Sequence, residues 1–357
     1  MEGEEQNKLI NALIIQQMKA FFITIIIFAT AINSYAQDIN FSQFYELPML
    51  RNPALAGSFK GDIRATAAYR TQWASVTTPY NTQALGVEMR FAANENSDNY
   101  FSLGLQITND MAGDSKMGRT QLLPVLAFHK SLSDERDTYL SLGFMGGPVQ
   151  NRFDPSKLTF DDQFVNGSYD PSNATQQTFN NTNVTYIDGS VGLIYSSTIN
   201  ENFKYYFGGS YFHFTKPKIA FNKASNLLLP AKIMVNAGIS APLSEYNKLI
   251  IYADYFQQGG SQQMQGGLMF KHDLVQEDED DGLAITAGSL IRWNDAVIPV
   301  VKLDYYKLGI GVTYDANISK LKVASHMRGG FEVTLSYRNF LNIRNSSLEK
   351  TRCPSTF

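Results

Sequence analysis

The chain has 357 residues, a formal net charge of −3, 44% hydrophobic residues and 13% aromatic residues. This charge balance lacks the basic excess of a nucleic-acid-binding protein, and the length fits two soluble domains or one large barrel. The single cysteine, Cys353, excludes an internal disulfide framework and a metal site built of cysteines.

The N-terminal region has the pattern of an export signal. Lys19 precedes an apolar run over residues 20–32, and Ser34 and Ala36 supply the small residues of a cleavage site. The run is shorter than the roughly 20 residues that a membrane-spanning helix needs. We therefore expect a Sec signal peptide over residues 18–36 and a mature chain beginning at Gln37. Residues 1–17 are expected to be an upstream extension from a start assigned too early.

Beyond Gln37 the sequence alternates with a period of two. In residues 331–338, FEVTLSYR, apolar residues occupy the odd positions and polar or charged residues occupy the even ones. Successive side chains of a strand point to opposite faces, so the segment predicts a strand with one apolar face. Similar segments recur between turn residues and predict about fourteen strands, over residues 61–73, 80–92, 99–109, 119–131, 137–149, 184–198, 203–215, 231–242, 246–256, 263–273, 283–292, 297–306, 307–315 and 329–339.

The connections between these strands alternate in length. Residues 151–183, 216–230 and 316–328 are long, and most of the intervening connections are tight. The exception is the acidic tract QEDEDDG over residues 276–282, which is expected to be a longer periplasmic loop. Bacterial outer-membrane barrels have an even number of strands, long extracellular loops and short periplasmic turns. The predicted fold class is therefore all-β, a transmembrane antiparallel β-barrel of the bacterial outer membrane with about 14 strands.

The barrel is expected to occupy residues 61–340. Residues 37–60 would form an N-terminal plug or a periplasmic segment, and residues 341–357 a periplasmic C-terminal tail. Leu47 precedes Pro48 and Asn52 precedes Pro53, which favours extended backbone at Leu47 and Asn52 and argues against a helix through this block.

The polar face of the predicted strands carries charges of both signs, which we expect to point into the lumen. They either line a transport path or form an ion-paired network, and their mixed signs favour the network. The predicted lumen charges are Glu88, Arg90, Asp254, Arg292, Lys302, Asp304, Glu332 and Arg338.

Other chemistry has weak support in the sequence. The four histidines, His129, His213, His272 and His326, show no metal-ligand spacing. The acidic tract lacks the spaced ligands and closing glutamate of a calcium loop, so a solvated turn is the favoured interpretation. The long segment 151–183 is a candidate for gripping an ion or a partner. No catalytic signature appears, and we expect neither enzyme activity nor a cofactor.

Four sequence blocks form a recognisable set. The block DINFSQFYELPMLRNPALAGS follows the predicted cleavage site, and YRTQW lies in the first strand. SKLTF lies in the long loop, and RCP stands near the end of the chain. The motif positions are Phe41, Asn52, Pro53, Gly57, Tyr69, Arg70, Gln72 and Trp73. With these blocks the chain resembles the PorP/SprF family of type IX secretion system outer-membrane proteins.

The resemblance implies a barrel without catalytic activity that supports secretion or surface attachment of a large cargo. Such cargo includes adhesins of gliding motility, engaged through their C-terminal domain. The expected partners are this cargo, other type IX secretion subunits and outer-membrane lipid, with no nucleic acid. The alternative is an outer-membrane channel or transporter for a hydrophobic or small polar solute, and a third possibility is a soluble secreted β-protein.

Overall fold

The structure is a computed structural model of the full chain. It describes residues 38–75, 77–94, 97–133, 136–165, 167–179, 181–199, 203–222, 225–278, 281–320 and 322–341. The predicted signal peptide, the upstream extension and nearly all of the C-terminal tail lie outside these residues. The chain divides into two compact units, residues 1–38 and 39–357, and the second is described below.

Sixteen strands occur in the described residues. In chain order they are β1 (Ile63–Gln72), β2 (Tyr80–Asn94), β3 (Ser97–Ala112), β4 (Met117–Ser133), β5 (Thr138–Arg152), β6 (Phe164–Val165), β7 (Ser168–Tyr169), β8 (Asn183–Ile199), β9 (Phe203–Phe212), β10 (Lys232–Ser244), β11 (Asn247–Gln258), β12 (Ser261–Asp278), β13 (Asp281–Arg292), β14 (Ala296–Tyr305), β15 (Leu308–Asn317) and β16 (Arg328–Asn339).

Fourteen of these strands form one closed antiparallel barrel, in which each strand pairs with its neighbours in sequence. The first and last strands close it, with Tyr69 opposite Val333 and Arg70 opposite Glu332. Strands β6 and β7 are the exception and form a separate two-stranded hairpin in the long connection between β5 and β8. Closure leaves no unpaired strand edge, which a bilayer requires of a β-structure. The predicted fold class is confirmed.

The period of two in the sequence becomes two faces of the barrel wall. In β16, Phe331 is 41% exposed and Leu335 48%, whereas Glu332 and Thr334 are each 1% exposed. The outer wall is therefore a band of leucine, valine, isoleucine and aromatic side chains, and the polar side chains point inward. Placing a charge on the inner face avoids the cost of about 2–4 kcal/mol for Arg or Lys at the bilayer midplane.

The two ends of the barrel differ in their connections. The long-loop end carries residues 73–79, 113–116, 153–182, 213–231 and 318–327, together with the tight turns 259–260 and 293–295. The short-turn end carries connections of two to four residues, at 95–96, 134–137, 200–202, 245–246, 279–280 and 306–307. By the convention of bacterial barrels the long-loop end faces outward and the short-turn end faces the periplasm.

The expectation of a longer loop at the acidic tract was wrong. Strands β12 and β13 continue their pairing through most of it, with Gln276 opposite Gly282 and Asp278 opposite Asp281. Pairing through backbone hydrogen bonds does not require apolar side chains, so a hairpin can extend past the apolar band.

Residues 39–62 lie inside the barrel rather than in its wall. They form three short helical turns, Phe44–Glu46 and Pro53–Leu55 as 3₁₀-helices and helix α1 over Pro48–Arg51. In the connections of the long-loop end, short turns occur at Pro155–Lys157 and Asp161–Gln163, and helix α2 covers Lys322–Ser325. Among the described residues, no helix has both the length and the apolar content to cross a membrane.

No helix runs through this block, as expected, but the sequence argument did not anticipate the three short helical turns. Leu47 and Asn52 do avoid helical backbone angles, with φ/ψ of −120°/62° and −160°/121°. Each residue instead precedes a proline at the first position of a helical turn, where the missing N–H costs nothing. The extended residues are therefore the starts of helical turns.

Candidate functional site

The lumen is filled by apolar contacts between the N-terminal segment and the barrel wall. Three buried clusters include side chains of the segment, centred on Phe44, Met49 and Phe41. The cluster around Phe44 contains wall residues such as Ile250 and Leu290, and the one around Phe41 contains Ala68 and Ala84. Burial of these apolar side chains stabilises the docked segment, and this hydrophobic contribution does not depend on direction.

Asn52 connects the segment to three neighbouring strands. Its side-chain amide donates to the carbonyl oxygens of Leu193 and Gly209 and to Oδ1 of Asn236, at 3.0 to 3.3 Å. Its own Oδ1 accepts from the backbone N–H of Ala54 at 2.9 Å and begins the helical turn. Nearly every hydrogen-bonding position of this buried amide is used, so Asn52 fixes the register of the segment against the wall.

Glycines in the wall make room for this contact. A Cβ on Gly192 would overlap the amide of Asn52, and a Cβ on Gly143 would overlap the backbone of Pro53. The segment thus packs backbone-close against β5 and β8.

Arg51 carries a charge that sequence reasoning missed. Its guanidinium binds Asp254 through two hydrogen bonds of 2.6 and 2.8 Å, and the two side chains are 5% and 0% exposed. The rings of Phe44, Tyr206 and Tyr252 lie 5.0 to 5.7 Å from the guanidinium carbon. This is a bidentate ion pair in an aromatic enclosure, the geometry in which arginine binds a carboxylate most strongly.

A second group of charges holds the start of the segment. The carboxylate of Glu332 accepts from the backbone N–H groups of Ser42 and Gln43, both at 2.7 Å. Arg70 donates to Asp315 at 2.6 Å and to the carbonyl oxygen of Asn40.

Arg292 completes this group on the wall. It lies 3.2 Å from Asp315 and 2.8 Å from Asp295, and it donates to the hydroxyl of Ser42 at 3.1 Å. Every charge in the group therefore has an opposite charge or a polar partner.

Two more predicted lumen charges lie at the end of the segment. Glu88 accepts from the backbone N–H of Gly57 at 2.8 Å and from Arg64 at 2.9 Å. Arg90 donates to the carbonyl oxygen of Phe59 at 2.6 Å, and its guanidinium carbon lies 4.2 Å from the centre of the Tyr100 ring.

Lys302, Asp304 and Arg338 lie nearer the short-turn end. The Lys302 ammonium is 2.6 Å from Glu46 of the segment and 3.3 Å from Asp304. Arg338 lines the same region of the lumen. Taken together, six of the eight predicted lumen charges contact the N-terminal segment directly: Glu88, Arg90, Asp254, Arg292, Lys302 and Glu332.

The motif residues of the first strand separate into two groups. Arg70 points inward, whereas Tyr69 is 43% exposed on the outer wall and donates its hydroxyl to Asn81. Gln72 ends β1, and Trp73 follows with a positive φ of 58° and its ring 4.8 Å from that of Tyr80. The structure therefore does not bring the eight motif residues together into one site.

A serine–histidine pair lies under the segment and has no sequence signature. His129 contacts Ser102 at 3.1 Å and Ser141 at 2.7 Å, and its ring stacks on Tyr100. A catalytic triad has a carboxylate on the far side of the histidine, whereas Ser141 takes that place here. Gly57 packs directly on Ser102. Because all three polar side chains are at most 2% exposed, this cluster serves the packing of the lumen.

The long-loop end presents an aromatic surface. Phe153 packs edge-on against Phe179 at 5.4 Å and Phe221 at 4.7 Å, which joins the connections 153–182 and 213–231. The β6–β7 hairpin exposes Phe164 by 54% and Tyr169 by 42%. We call these side chains, together with Leu227 and Leu228, the aromatic loop surface.

Polar side chains shape the same loops. A hydrogen bond from the Ser156 hydroxyl lowers the pKa of Asp154, and a hydrogen bond from the Ser156 backbone N–H lowers it further. At the base of the connection 213–231, the side chain of His213 lies 2.6 Å from that of Asp188. The backbone of His213 has a positive φ of 59°, and β9 ends at Phe212, three residues before the predicted end at 215. No group of three or more histidine, cysteine, aspartate or glutamate side chains in the described chain is arranged to hold a metal ion.

Sequence reasoning missed the charges of the segment and one of their neighbours on the wall. Arg51 and Glu46 of the segment and Asp315 of β15 were not among the predicted charges, although all three form ion pairs. For Arg51 and Glu46, a charged residue between apolar ones in a short pre-barrel block was the available signal, and it does not by itself name the partner.

Comparison with known proteins gives one family over most of the chain. Residues 33–337 match the family described as Type IX secretion system membrane protein PorP/SprF. No curated protein sequence matches the chain.

Among solved structures, the translocator domain of autotransporter NalP from Neisseria meningitidis is 11% identical, with a TM-score of 0.39 and coverage of 78% of this chain and 88% of that one. The toluene transporter TbuX of Ralstonia pickettii is 10% identical, with a TM-score of 0.45 and coverage of 82% and 93%. A FadL homologue of Pseudomonas aeruginosa is 8% identical, with a TM-score of 0.47 and coverage of 80% and 92%. At these identities and scores the likenesses carry no inference about function.

Proposed function

We propose, from the premise that this chain belongs to the PorP/SprF family of type IX secretion system membrane proteins, that it is a non-enzymatic scaffold for cargo. It is an outer-membrane component of type IX secretion. In this proposal it supports the secretion or surface attachment of a large adhesin or similar cargo, which it binds through the cargo's C-terminal domain.

The filled lumen supports a scaffold. Asn52 and Arg51 fasten the middle of the N-terminal segment, and Glu332 fastens its start. We propose that residues 39–62 act as a plug, so that the protein's partners bind at the ends of the barrel rather than pass through it.

The aromatic loop surface supports binding at the long-loop end. Isolated exposed apolar residues are normal on proteins, whereas neighbouring ones mark interaction sites, and the rings of Phe164 and Tyr169 are neighbours with centroids 5.8 Å apart. A few residues supply most of the binding energy in protein interfaces, and tyrosine and tryptophan are enriched among them. In this proposal Phe164 and Tyr169 contact the cargo.

A crosslinking pull-down from outer membranes with a tagged copy tests the proposal. We expect one very large surface protein to be recovered, crosslinked through its C-terminal domain to the long-loop end. The double substitution of Phe164 and Tyr169 by serine should reduce the recovery of this surface protein. The matched control replaces Leu243 and Tyr246, which are exposed by 58% and 47% at the short-turn end, and should leave it unchanged.

Deletion of the protein should leave the cargo in the periplasm or release it into the medium. Normal surface display of all cargo in the deletion strain would contradict the proposal. Steady solute flux through the purified barrel in a planar bilayer would favour a channel instead, and a sealed barrel would agree with the plug.

A further inference from the structure

A groove lies on the outer wall of the barrel where the first and last strands meet. It is lined by side chains of β16, β1, β2 and β3, has a volume of about 450 Å³ and is open along one side. Ligand sites in proteins commonly have volumes of about 300–1,000 Å³. We call this feature, centred on Ala67, the outer groove.

A single small residue creates the outer groove. Ala67 is exposed on the outer wall and lies opposite Leu335 of β16 on one side and Leu85 of β2 on the other. Adjacent strands are about 4.8 Å apart, so the two leucines stand on strands roughly 10 Å apart with only a methyl group between them. The floor of the groove therefore lies below the level of the neighbouring side chains.

The groove changes from apolar to polar along the strands. The row through Ala67 is apolar and continues to Leu85 and Leu335. The next row toward the long-loop end contains Tyr69, Gln83 and Asn109, which are opposite one another on β1, β2 and β3. The polar groups are thus all on the side of the long-loop end.

The length of β1 gives the depth of these two rows in the membrane. The strand has ten residues, Ile63–Gln72, and a tilted strand of about 9–11 residues crosses a bilayer. Ala67 therefore lies near the middle of the bilayer, and Tyr69 lies nearer the surface. Because the long-loop end faces outward by the convention for such barrels, the groove opens into the outer leaflet.

Two amides in the polar row have donors to spare. The side-chain oxygen of Asn109 accepts from the hydroxyl of Thr120 at 3.0 Å, whereas its NH₂ group bonds to no other residue that the structure describes. The carboxamide of Gln83 is exposed on the outer wall and likewise has no hydrogen-bond partner among the described residues. A polar group in apolar surroundings is costly unless it is hydrogen-bonded. An acceptor oxygen at this depth would bind both amides.

The position and shape of the outer groove favour a lipid over a protein. None of the described side chains that line it is charged. A lipid has groups in the same order as the groove, with hydrocarbon in the middle of the bilayer and an ester or amide oxygen nearer the surface. A helix is about 10–12 Å across with its side chains, which is too wide to enter between Leu85 and Leu335.

We propose that the outer groove binds one acyl chain of an outer-leaflet lipid. The chain lies over Ala67, and its ester or amide carbonyl oxygen accepts from the side chains of Gln83 and Asn109. This site is on the side of the barrel, so it does not depend on the proposed cargo contact at the long-loop end.

Native mass spectrometry of the full-length protein tests the proposal. The protein is reconstituted in nanodiscs of a diester phosphatidylcholine, transferred to detergent and washed free of unbound lipid. Lipids that merely surround the barrel are washed away, and we expect the wild type to retain one. The diether analogue, which lacks the carbonyl oxygens, is the ligand control. Its retention should be about threefold to tenfold lower, because it cannot accept the hydrogen bonds.

Three substitutions locate the site. Ala67→Leu fills the groove and should reduce lipid retention about tenfold or more, because each displaced methylene weakens binding. The matched control is Ala287→Leu, which adds the same volume to an exposed alanine on the outer wall, between Phe270 and Val301. This control should retain lipid as the wild type does. Gln83→Met keeps the length of the side chain without its amide and should reduce retention of the diester about threefold.

The position of the retained lipid is measured with a diester lipid that carries a diazirine in its acyl chain. After illumination, crosslinks should fall on peptides of β1, β2, β3 and β16. Heat-modifiable gel migration shows whether each variant is folded, and Gln83→Met keeps the test decisive if Ala67→Leu does not fold.

Several results would overturn the proposal. They are loss of all lipid from the wild type, equal retention by the folded Ala67→Leu variant, equal loss in Ala287→Leu, and crosslinks confined to other strands. A second copy of the barrel retained in place of lipid would show a protein interface and would also overturn it. Failure to recover cargo in the pull-down would leave these results unaffected.

Discussion

Replacing Asp254 with alanine should loosen the N-terminal segment from the barrel. The substitution leaves the Arg51 guanidinium buried without the carboxylate that now binds it at 2.6 and 2.8 Å. Breaking a buried pair by removing one partner typically costs about 3–5 kcal/mol. Even about 3 kcal/mol corresponds to more than a hundredfold change in an equilibrium constant. The equilibrium in this case is that between the docked and the undocked segment.

Hydrogen exchange measured by mass spectrometry reports this equilibrium directly. Peptides covering residues 44–57 should exchange at least about a hundred times faster in the Asp254→Ala barrel than in the wild type. Peptides from the wall strands provide the internal reference, because they should keep their protection while the barrel stays closed.

Two controls separate the ion pair from a general loss of stability. Asp295 is 42% exposed and shares Arg292 with Asp315, so Asp295→Ala should cost less than about 1 kcal/mol. Arg51→Met combined with Asp254→Leu removes both charges and should restore most of the protection. The reasoning would be refuted if residues 44–57 exchanged at the wild-type rate in the Asp254→Ala barrel. It would also be refuted if they exchanged equally fast in Asp254→Ala and in the Arg51→Met, Asp254→Leu double variant.

Two further substitutions probe the lumen and the outer wall. Gly143→Val should prevent docking of the segment, because the valine side chain would overlap Pro53. Trypsin should then cleave the segment in folded barrels. In the control Gly209→Ala, the new Cβ has its nearest neighbour at 3.6 Å, so the segment should remain resistant to trypsin. Leu335→Arg on the lipid face should cost about 2–4 kcal/mol in urea unfolding from vesicles, whereas Leu243→Arg at the short-turn edge should cost about 0–1 kcal/mol.

The barrel wall was predictable because its information is local. The alternation of Phe331, Glu332, Val333 and Thr334 determines which side chains face out, and a shift of one residue would reverse every one of them. Neighbouring strands pair in sequence order, so the hairpins follow once the strands are known. Local alternation failed at the acidic tract, where backbone pairing continues without an apolar face.

The interior of the barrel was not predictable from such patterns. Ser42 meets Glu332 across 290 positions of the chain, and Arg51 meets Asp254 across 203. Neither residue's immediate sequence distinguishes its partner from the other charges on the polar face. The glycines of β5 and β8 show only that something approaches closely, not that Pro53 and Asn52 do so.

The sequence by itself determined a closed wall with an apolar outside, fourteen strands and two unlike ends, since a period of two and the length of each connection are local properties. Only the tertiary structure decided that the N-terminal segment fills the lumen and which wall charges hold it. The physical reason is that side-chain pairing inside a barrel depends on the register and curvature of all its strands together, which no single stretch of the chain contains.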